Sequence, residues 1–134
     1  MITKQELIDF EEEIAQIYNS GAIAAPIHLD NGNEDQLIKI FKNIRDQDWV
    51  LGTWRMHYKC LLKGVHPERL KEDIINKKSI NLCYKDFKIL SSAIVGGIYP
   101  IALGIALSIK LQNLDEKVYV FGGEMSSETG TFYE

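Results

Sequence analysis

Apolar positions at helical spacing alternate along this chain with short apolar runs of the kind that form buried strands. A first helix is predicted to begin at Thr3, because Thr3 and Glu6 match a capping box, and to end near Gly21. A second helix is predicted from about Asn33. The apolar faces of these two helices are formed by Leu7, Phe10, Ile14 and Ile17, and by Leu37, Phe41 and Ile44.

The middle of the chain predicts a strand followed by two helices. The run DWVLG, from Asp48, is typical of a short buried strand, and a helical repeat that starts at Trp54 ends at Gly64. Pro67 suits the first turn of the next helix, PERLKEDII, because its missing amide proton is not needed there. The polar stretch NKKSINLCYKDF is predicted to be a loop, and KVYVFG is predicted to be the last, buried strand.

Residues 93–109, AIVGGIYPIALGIALSI, carry no charge and pose a choice between a membrane span and a buried helix. The stretch is shorter than the ~20 residues that a span needs, and it has Gly96, Gly97 and Pro100 near its start. We therefore expect a turn followed by a fully buried helix, with Pro100 in the first turn. No membrane partner is expected.

Helices that alternate with short apolar runs predict an α/β fold with a parallel sheet and helices on both faces. Three segments are expected to meet at the carboxyl edge of that sheet, where active sites of such folds lie. They are LGTWRMH, SSAIVGG and FGGEMSSETG. The sequence contains no internal repeat and no linker-like segment, so residues 1–134 are predicted to form one domain.

Composition and charge narrow the class of protein. Of 134 residues, 46% are hydrophobic and 25% charged, and the net charge is -4, as is typical of a globular domain. The basic residues are scattered, so no nucleic-acid partner is expected. The first residues lack the apolar core of a signal peptide, and Cys60 and Cys83 lack zinc-site spacing. A cytoplasmic protein with free thiols is predicted.

Two features of the predicted sheet edge suit an anion. Arg55 follows the first predicted strand beside an aromatic residue, where it can bind a phosphate or carboxylate or form a structural ion pair. The turn Gly122-Gly123 is followed directly by Glu124, a position where α/β folds hold a phosphate or its metal ion. Neither feature alone decides between a ligand site and ordinary packing.

Five segments in order carry a family resemblance: HLDNGNED, DWVLGTWRMHYKCLLKG, KKSINL, SSAIVGGIYPIALGIALSIK and VYVFGGEMSSETGTFYE. Together they resemble the alpha subunits of thiamine-diphosphate-dependent 2-oxo acid dehydrogenases, the family of pyruvate and acetoin dehydrogenases. The resemblance runs from about His28 to Glu134. It implies the amino-terminal part of a thiamine-diphosphate-binding fold, which is incomplete in this chain.

The resemblance assigns roles on three segments. In the family, an aromatic–arginine pair binds the cofactor diphosphate, and it corresponds here to Trp54 and Arg55, with tryptophan in place of the usual tyrosine. The G-I-V-G turn, whose backbone receives the aminopyrimidine ring, corresponds to the residues from Ala93 through Val95 to Gly96, with alanine replacing the first glycine. His28 matches the H-x-x-x-G-Q-E element and is expected near the thiazolium, as a catalytic residue.

The metal-binding segment departs from the family pattern. The family binds magnesium through G-D-G and a later asparagine, whereas this chain has Gly123-Glu124-Met125. The resemblance makes Glu124 the expected magnesium ligand, one methylene longer than aspartate, with Gly123 and Met125 beside the diphosphate. Met125 replaces a glycine that lets the backbone approach the cofactor. Asn81 stands where the family usually has a histidine.

The resemblance also implies partners. The second metal ligand and the catalytic histidine loop of the family are expected beyond Glu134, so the chain is the front part of a longer subunit or a second chain completes it. A beta-type subunit supplies the glutamate that activates the cofactor. A 2-oxo acid is the expected substrate, and an acceptor, such as a lipoyl-bearing acyltransferase, takes the acyl or aldehyde unit after decarboxylation.

Other interpretations remain open at this point. Glu124 and Met125 favour a non-catalytic relative that acts as an assembly or regulatory partner, whereas Trp54-Arg55 and the Val95 turn favour the enzyme. A nucleotide- or flavin-binding fold is disfavoured because no G-x-G-x-x-G occurs. Four further features are interpreted as having no catalytic role: His57, the acidic run Glu11-Glu12-Glu13 as a solvated helix face, Lys77-Lys78 in a surface loop, and Cys83.

Overall fold

A computed structural model describes residues 2–134. Its helices are α1 (Lys4–Asn19), α2 (Glu34–Phe41), α3 (His57–Leu62), α4 (Pro67–Ile75), α5 (Ile98–Leu111) and α6 (Gly130–Tyr133). Its strands are β1 (Trp49–Gly52), β2 (Cys83–Tyr84), β3 (Ile89–Ser91) and β4 (Val118–Phe121), and 3-10 turns cover Lys85–Phe87 and Glu124–Glu128.

The predicted helix starts are largely confirmed. The Thr3 side chain accepts a hydrogen bond from the Glu6 amide at 3.2 Å, and the Thr3 amide donates to the Glu6 carboxylate at 2.7 Å, which completes the capping box. Pro67 occupies the first turn of α4, as predicted. The start of α3 was predicted too early, at Trp54, because four residues separate β1 from the helix, with a bend at Thr53 and Trp54 before the helix begins at His57.

The sheet is mixed but mostly parallel, in the order β2-β3-β1-β4. The central strand β1 pairs in parallel with β3 and β4, which confirms the predicted α/β class. The short strand β2 runs antiparallel to β3, so the prediction of a loop over NKKSINLCYKDF was wrong for Cys83 and Tyr84, although no other residue of this stretch is in a strand. This hairpin turns at Lys88, whose backbone is left-handed at φ 55°, and two paired residues are too short a run to show a strand period.

The two faces of the sheet are covered differently. Val50 of β1 points into a large core with α1 to α4, and the next residue, Leu51, points to the opposite face against α5. Among residues 2–134, the core on the α5 side has three buried members, Leu51, Ile98 and Ala102. Helices therefore lie on both faces, as predicted, but one side is deep and the other shallow.

The prediction that α5 is fully buried was wrong. It packs on the sheet through Ile98 and Ala102 and also buries Ile109, whereas Leu103 and Leu111 are 67% and 73% exposed. Strand β4 is likewise half-buried rather than buried, because it pairs with β1 alone among residues 2–134. A charge-free sequence identifies an apolar helix, but not whether other elements cover all of its sides. No helix in the described chain is long and apolar enough to cross a membrane.

A charge network joins the amino ends of β1 and β4. The buried carboxylate of Asp48 accepts hydrogen bonds from the Arg45 guanidinium at 2.9 Å and from the Lys117 amide at 2.9 Å, and Arg45 also pairs with Asp115 at 2.7 Å. Burial alone would raise the pKa of Asp48, but the hydrogen bonds from Arg45 and Lys117 lower it to about 2. This network fixes the sheet edge opposite the predicted site.

Candidate functional site

A cavity of about 210 Å³ opens at the carboxyl edge of the sheet, between the ends of β1 and β4. The ends of three strands meet here, since the Ser92 amide donates to the Gly52 carbonyl at 3.0 Å and the Thr53 amide to the Phe121 carbonyl at 3.3 Å. The cavity is lined by Asp30, Asn33, Leu37, Thr53, Arg55, Lys59, Phe121, Gly122 and Gly123. The predicted convergence of the three segments is confirmed.

Arg55 lines this cavity with most of its hydrogen-bonding capacity unused. Its Nε donates to the Leu29 carbonyl at 3.2 Å, and this is its one hydrogen bond to the residues that the structure describes. Arg55 forms no ion pair with these residues, so the structure does not support the interpretation that it belongs to a structural ion pair. A guanidinium has five N–H donors in a planar fork that matches phosphate or carboxylate oxygens. Arg55 is therefore available to bind an anion.

Trp54 and His28 lie next to each other beside Arg55. Their ring centroids are 5.6 Å apart with the planes tilted by 47°, and both side chains are half-buried. The Arg55 bond to Leu29 holds the residue that follows His28, so one contact positions both segments. The structure thus groups three of the predicted site residues, although neither His28 nor Trp54 lines the cavity itself.

The Gly122-Gly123 turn forms the opposite wall, with backbone rather than side chains facing the cavity. A Cβ atom at Gly122 would lie 2.0 Å from the Tyr99 hydroxyl, so the close packing of α5 requires glycine there. Gly123 takes an ordinary extended conformation at φ -82°. Of the residues predicted around the G-D-G-like motif, only Gly123 lines the cavity together with Arg55.

The other predicted residues of this motif lie outside the cavity. Glu124 and Met125 are both exposed, in the 3-10 turn that follows Gly123. No group of three or more His, Cys, Asp or Glu side chains placed to hold a metal ion occurs in residues 2–134. The role of Glu124 as a magnesium ligand stays a prediction.

The turn before α5 presents an apolar surface. Gly96 is left-handed at φ 76°, and its Cβ position lies 3.0 Å from the Thr129 hydroxyl, which packs the last segment of the chain against the turn. Ala93 is half-buried, and Val95 is exposed, as is Ile94 between them. Neither Ala93 nor Val95 lines the cavity, and their predicted contact with an aminopyrimidine ring stays a prediction.

Sequence reasoning missed a buried ion pair inside the cavity wall. Lys59 Nζ donates to both carboxylate oxygens of Asp30, at 2.9 and 3.0 Å, and Asn33 donates to one of them at 3.0 Å. Asn33 Oδ1 is buried and has no partner in the described chain. No sequence signal pairs Lys59 with Asp30, because the two residues are 29 positions apart in the chain.

A second buried polar cluster lies away from the cavity. His57 is fully buried, with Nδ1 3.1 Å from Glu11 and Nε2 2.9 Å from the Ser79 hydroxyl. Both ring nitrogens are paired, which supports the structural interpretation of His57. The prediction of a solvated acidic face was wrong for Glu11, which is buried in this contact, and burial raises the pKa of its carboxyl group.

The two cysteines differ in environment. Cys60 is buried, and burial raises the pKa of its thiol, whereas Cys83 is exposed on β2. Both are free thiols, as predicted. Neither lines the cavity.

The residues of the cavity fit one end of a thiamine diphosphate molecule. Arg55 has unused donors, Gly122 and Gly123 present backbone with no side chain in the way, and the ends of β1 and β4 both border the opening. These features suit a diphosphate group, which is small and strongly anionic. The fold and this edge define an α/β protein with a candidate anion-binding site at the ends of its parallel strands.

Comparison with known proteins identifies the family. Residues 3–134 match the Dehydrogenase E1 component family, and the chain belongs to it. It is 29% identical, across 94% of its length, to the alpha subunit of an acetoin:2,6-dichlorophenolindophenol oxidoreductase from Cupriavidus necator. It is 26% identical across 96% to the corresponding Bacillus subtilis subunit, and 28% identical across its full length to the chloroplastic pyruvate dehydrogenase E1 component subunit alpha-3 of Arabidopsis thaliana.

These relatives are much longer than the chain. The matches cover 41%, 42% and 37% of the three proteins in the same order, so the chain spans about two fifths of their length. The resemblance to the amino-terminal part of an alpha subunit is confirmed by these matches. The activity, substrate and partners of the whole relatives are considered below as proposals.

Proposed function

We propose that this chain is an alpha-subunit-like component of a thiamine-diphosphate-dependent 2-oxo acid dehydrogenase or decarboxylase. The observation that carries the proposal is the juxtaposition of Arg55 and the Gly122-Gly123 turn in one cavity at the sheet edge. Family membership supports the enzyme class, and the cavity supports a diphosphate as the bound group. A cytoplasmic location belongs to the same proposal.

The chain's own residues bind and orient the cofactor in this proposal. Arg55 binds diphosphate oxygens, the Gly122-Gly123 backbone allows them close approach, and Trp54 packs against His28 to hold the segment in place. Gly123 borders the group, while Glu124, which lies outside the cavity with Met125, contributes one carboxylate toward magnesium. When bound, the cofactor supplies the carbanion that attacks a 2-oxo acid and permits its decarboxylation.

His28 and the turn from Ala93 to Val95 have supporting roles in the proposal. His28 lies beside the Trp54-Arg55 pair, where a half-buried imidazole can donate or accept a proton near the reacting end of the cofactor. Ala93 and Val95 lie at the end of β3, next to β1, and offer backbone and a small apolar side chain to a flat ring. The acyl or aldehyde unit passes to an acceptor, for which a lipoyl-bearing acyltransferase is the proposed partner.

A beta-type subunit is the proposed partner of the site. The exposed apolar surface begins at Ile94 and Val95, beside the cofactor position, and continues along α5 through Leu103, Leu107 and Leu111. Leaving such a continuous surface in water is unfavourable, and apolar patches of this kind mark interaction sites. Because the surface starts at the cofactor turn, a subunit bound there would also reach the aminopyrimidine ring.

Calorimetric titration of thiamine diphosphate with Mg²⁺ tests the proposal, on the chain alone and on the chain co-purified with a beta-type subunit. We expect saturable, Mg²⁺-dependent binding that requires the partner, and a loss of about tenfold or more in affinity for Arg55→Met, since hydrogen bonds to charged groups contribute about 1.5–3 kcal/mol. The matched control is Arg69→Met, because Arg69 pairs with Asp86 on the surface and does not line the cavity.

The alternative function is that of a non-catalytic relative with an assembly or regulatory role. The exposed Glu124 and Met125, outside the cavity, are the observations that favour it. Folded protein that binds a beta-type subunit but takes up no cofactor, with or without Mg²⁺, would support this alternative and contradict the enzyme proposal. Binding that is identical in Arg55→Met and in the parent protein would contradict the assigned role of Arg55.

A further inference from the structure

The cavity contains a second cation, Lys59, whose donors are only partly used. Its side chain is 6% exposed, and its two hydrogen bonds both go to Asp30, which is 2% exposed. An ammonium group has three N–H donors. The third has no acceptor among residues 2–134, and Lys59 lines the cavity.

Lys59 and Arg55 are arranged in the same way. Arg55 bonds to the Leu29 carbonyl and Lys59 bonds to Asp30, so both hold one loop and both keep donors free beside the same cavity. The free donors of the two residues therefore share one opening. Asn33, which also lines the cavity, donates to the same Asp30 carboxylate.

Stability alone does not account for the pair of Lys59 and Asp30. Taking two charges out of water has a desolvation cost that their attraction barely offsets, and well-packed apolar residues often serve as well or better. With Asp30 charged, the cations Arg55 and Lys59 leave the cavity wall with a net charge of +1. A cavity with this sign and with unused donors favours an anion.

We propose that Lys59 is a second anion-binding residue, which contacts phosphate oxygens of the bound diphosphate while Asp30 holds the ammonium in position. This inference rests on the proposed function for the identity of the ligand, and it goes beyond it by assigning a residue that no motif of the sequence indicated. Lys59 and Arg55 then contact the diphosphate from two directions, which fixes its orientation as well as its affinity.

Inorganic pyrophosphate is the probe that tests this proposal, titrated in Mg²⁺-free buffer into the chain and into the chain bound to its beta-type subunit. We expect Lys59→Met to weaken pyrophosphate binding by about tenfold, the loss typical of one charge-assisted hydrogen bond. Lys63→Met is the matched control, because Lys63 donates to the carbonyls of Arg45 and Asp46 at 2.8 Å and does not line the cavity. It should bind as the parent protein does.

A double variant separates direct contact from an indirect effect of Asp30. Lys59→Met alone leaves Asp30 as an unpaired buried charge, which could repel the anion or unfold the chain. Asp30→Asn should therefore be compared with the double variant Lys59→Met/Asp30→Asn, in which that charge is absent from both. The double variant should bind pyrophosphate at least about fivefold more weakly if the ammonium touches the anion. Equal affinities of these two variants would show that Lys59 is only structural.

Failure of this inference and failure of the proposed function give different results. Pyrophosphate binding that depends on Arg55 but not on Lys59 overturns the inference and leaves the proposed function standing. Pyrophosphate binding that depends on both residues, in a protein that takes up no thiamine diphosphate, keeps the anion site and removes the proposed cofactor. No pyrophosphate binding to the folded complex overturns the assignment of Lys59.

Discussion

The two edges of the sheet handle charge in opposite ways. At the amino edge, Arg45, Asp48 and Asp115 satisfy one another, and Lys88 pairs with Glu116 at 2.6 Å. At the carboxyl edge, Arg55 has a single hydrogen bond and Lys59 has a free donor. Paired charges stabilise the position of two strands, whereas donors that make no bond within the chain remain available to a ligand. The amino edge is thus expected to determine stability and the carboxyl edge binding.

The largest stability effect is expected at Asp48. Asp48→Ala removes a buried carboxylate that accepts hydrogen bonds from the Arg45 side chain and from the backbone amides of Arg45 and Lys117, so these partly buried donors lose their partner. We expect a loss of about 3 kcal/mol in the free energy of unfolding, measured by urea denaturation. Asp115→Ala, at an exposed carboxylate of the same network, should lose less than about 1 kcal/mol. Equal losses would contradict the importance of burial.

The second effect is a loss of stability in acid. The pKa of Asp48 is about 2 in the folded chain and 3.8 ordinarily, so the unfolded chain binds the proton first. The stabilisation is complete above pH 3.8 and is lost as the pH falls toward 2, by roughly 2 kcal/mol. Denaturation midpoints across this range should show a steeper decline for the parent protein than for Asp48→Asn. Parallel declines would indicate that other carboxylates control acid unfolding.

A smaller effect on stability is expected when one methyl group is added at Gly122, at the carboxyl edge. Gly122→Ala places Cβ against the Tyr99 hydroxyl, so the tyrosine or the turn must shift, and we expect a loss of about 1 kcal/mol and weaker pyrophosphate binding. The control Gly104→Ala has no atom within 4 Å of the new methyl group and lies inside α5, so it should stabilise the chain by up to about 1 kcal/mol. The same sign for both would contradict this account of Gly122.

The smallest stability effect is expected at Arg55. Because its side chain is exposed and makes one backbone hydrogen bond, Arg55→Met should change the free energy of unfolding by less than about 0.5 kcal/mol. The same variant should nevertheless lose anion binding. A variant that is destabilised as much as Asp48→Ala would show that the carboxyl edge also supports the fold, and would remove the distinction between the two edges.

The parts of the site that were predictable are those that depend on neighbours in sequence. Arg55 directly follows a strand, and Gly122-Gly123 directly follows another, so parallel pairing of the two strands places them at one edge. Lys59 and Asp30 were not predictable in this way, because they are 29 residues apart and meet only when α3 packs beside the loop before α2. Glu11 was misplaced for the same reason, since its partner His57 is 46 residues away.

The sequence by itself determined the helices, the central strand and the family, because periodicity, caps and ordered motifs are local properties of the chain. Only the tertiary structure decided which charges are paired, which side of α5 is covered and which motif residues line the cavity. Those outcomes depend on burial, which arises from contacts between elements far apart in sequence. Burial makes an unpaired charged or polar side chain costly, whereas the same side chain in water is not. Arg55 and Lys59, four residues apart, therefore share a cavity, whereas Glu124, directly after Gly123, lies outside it.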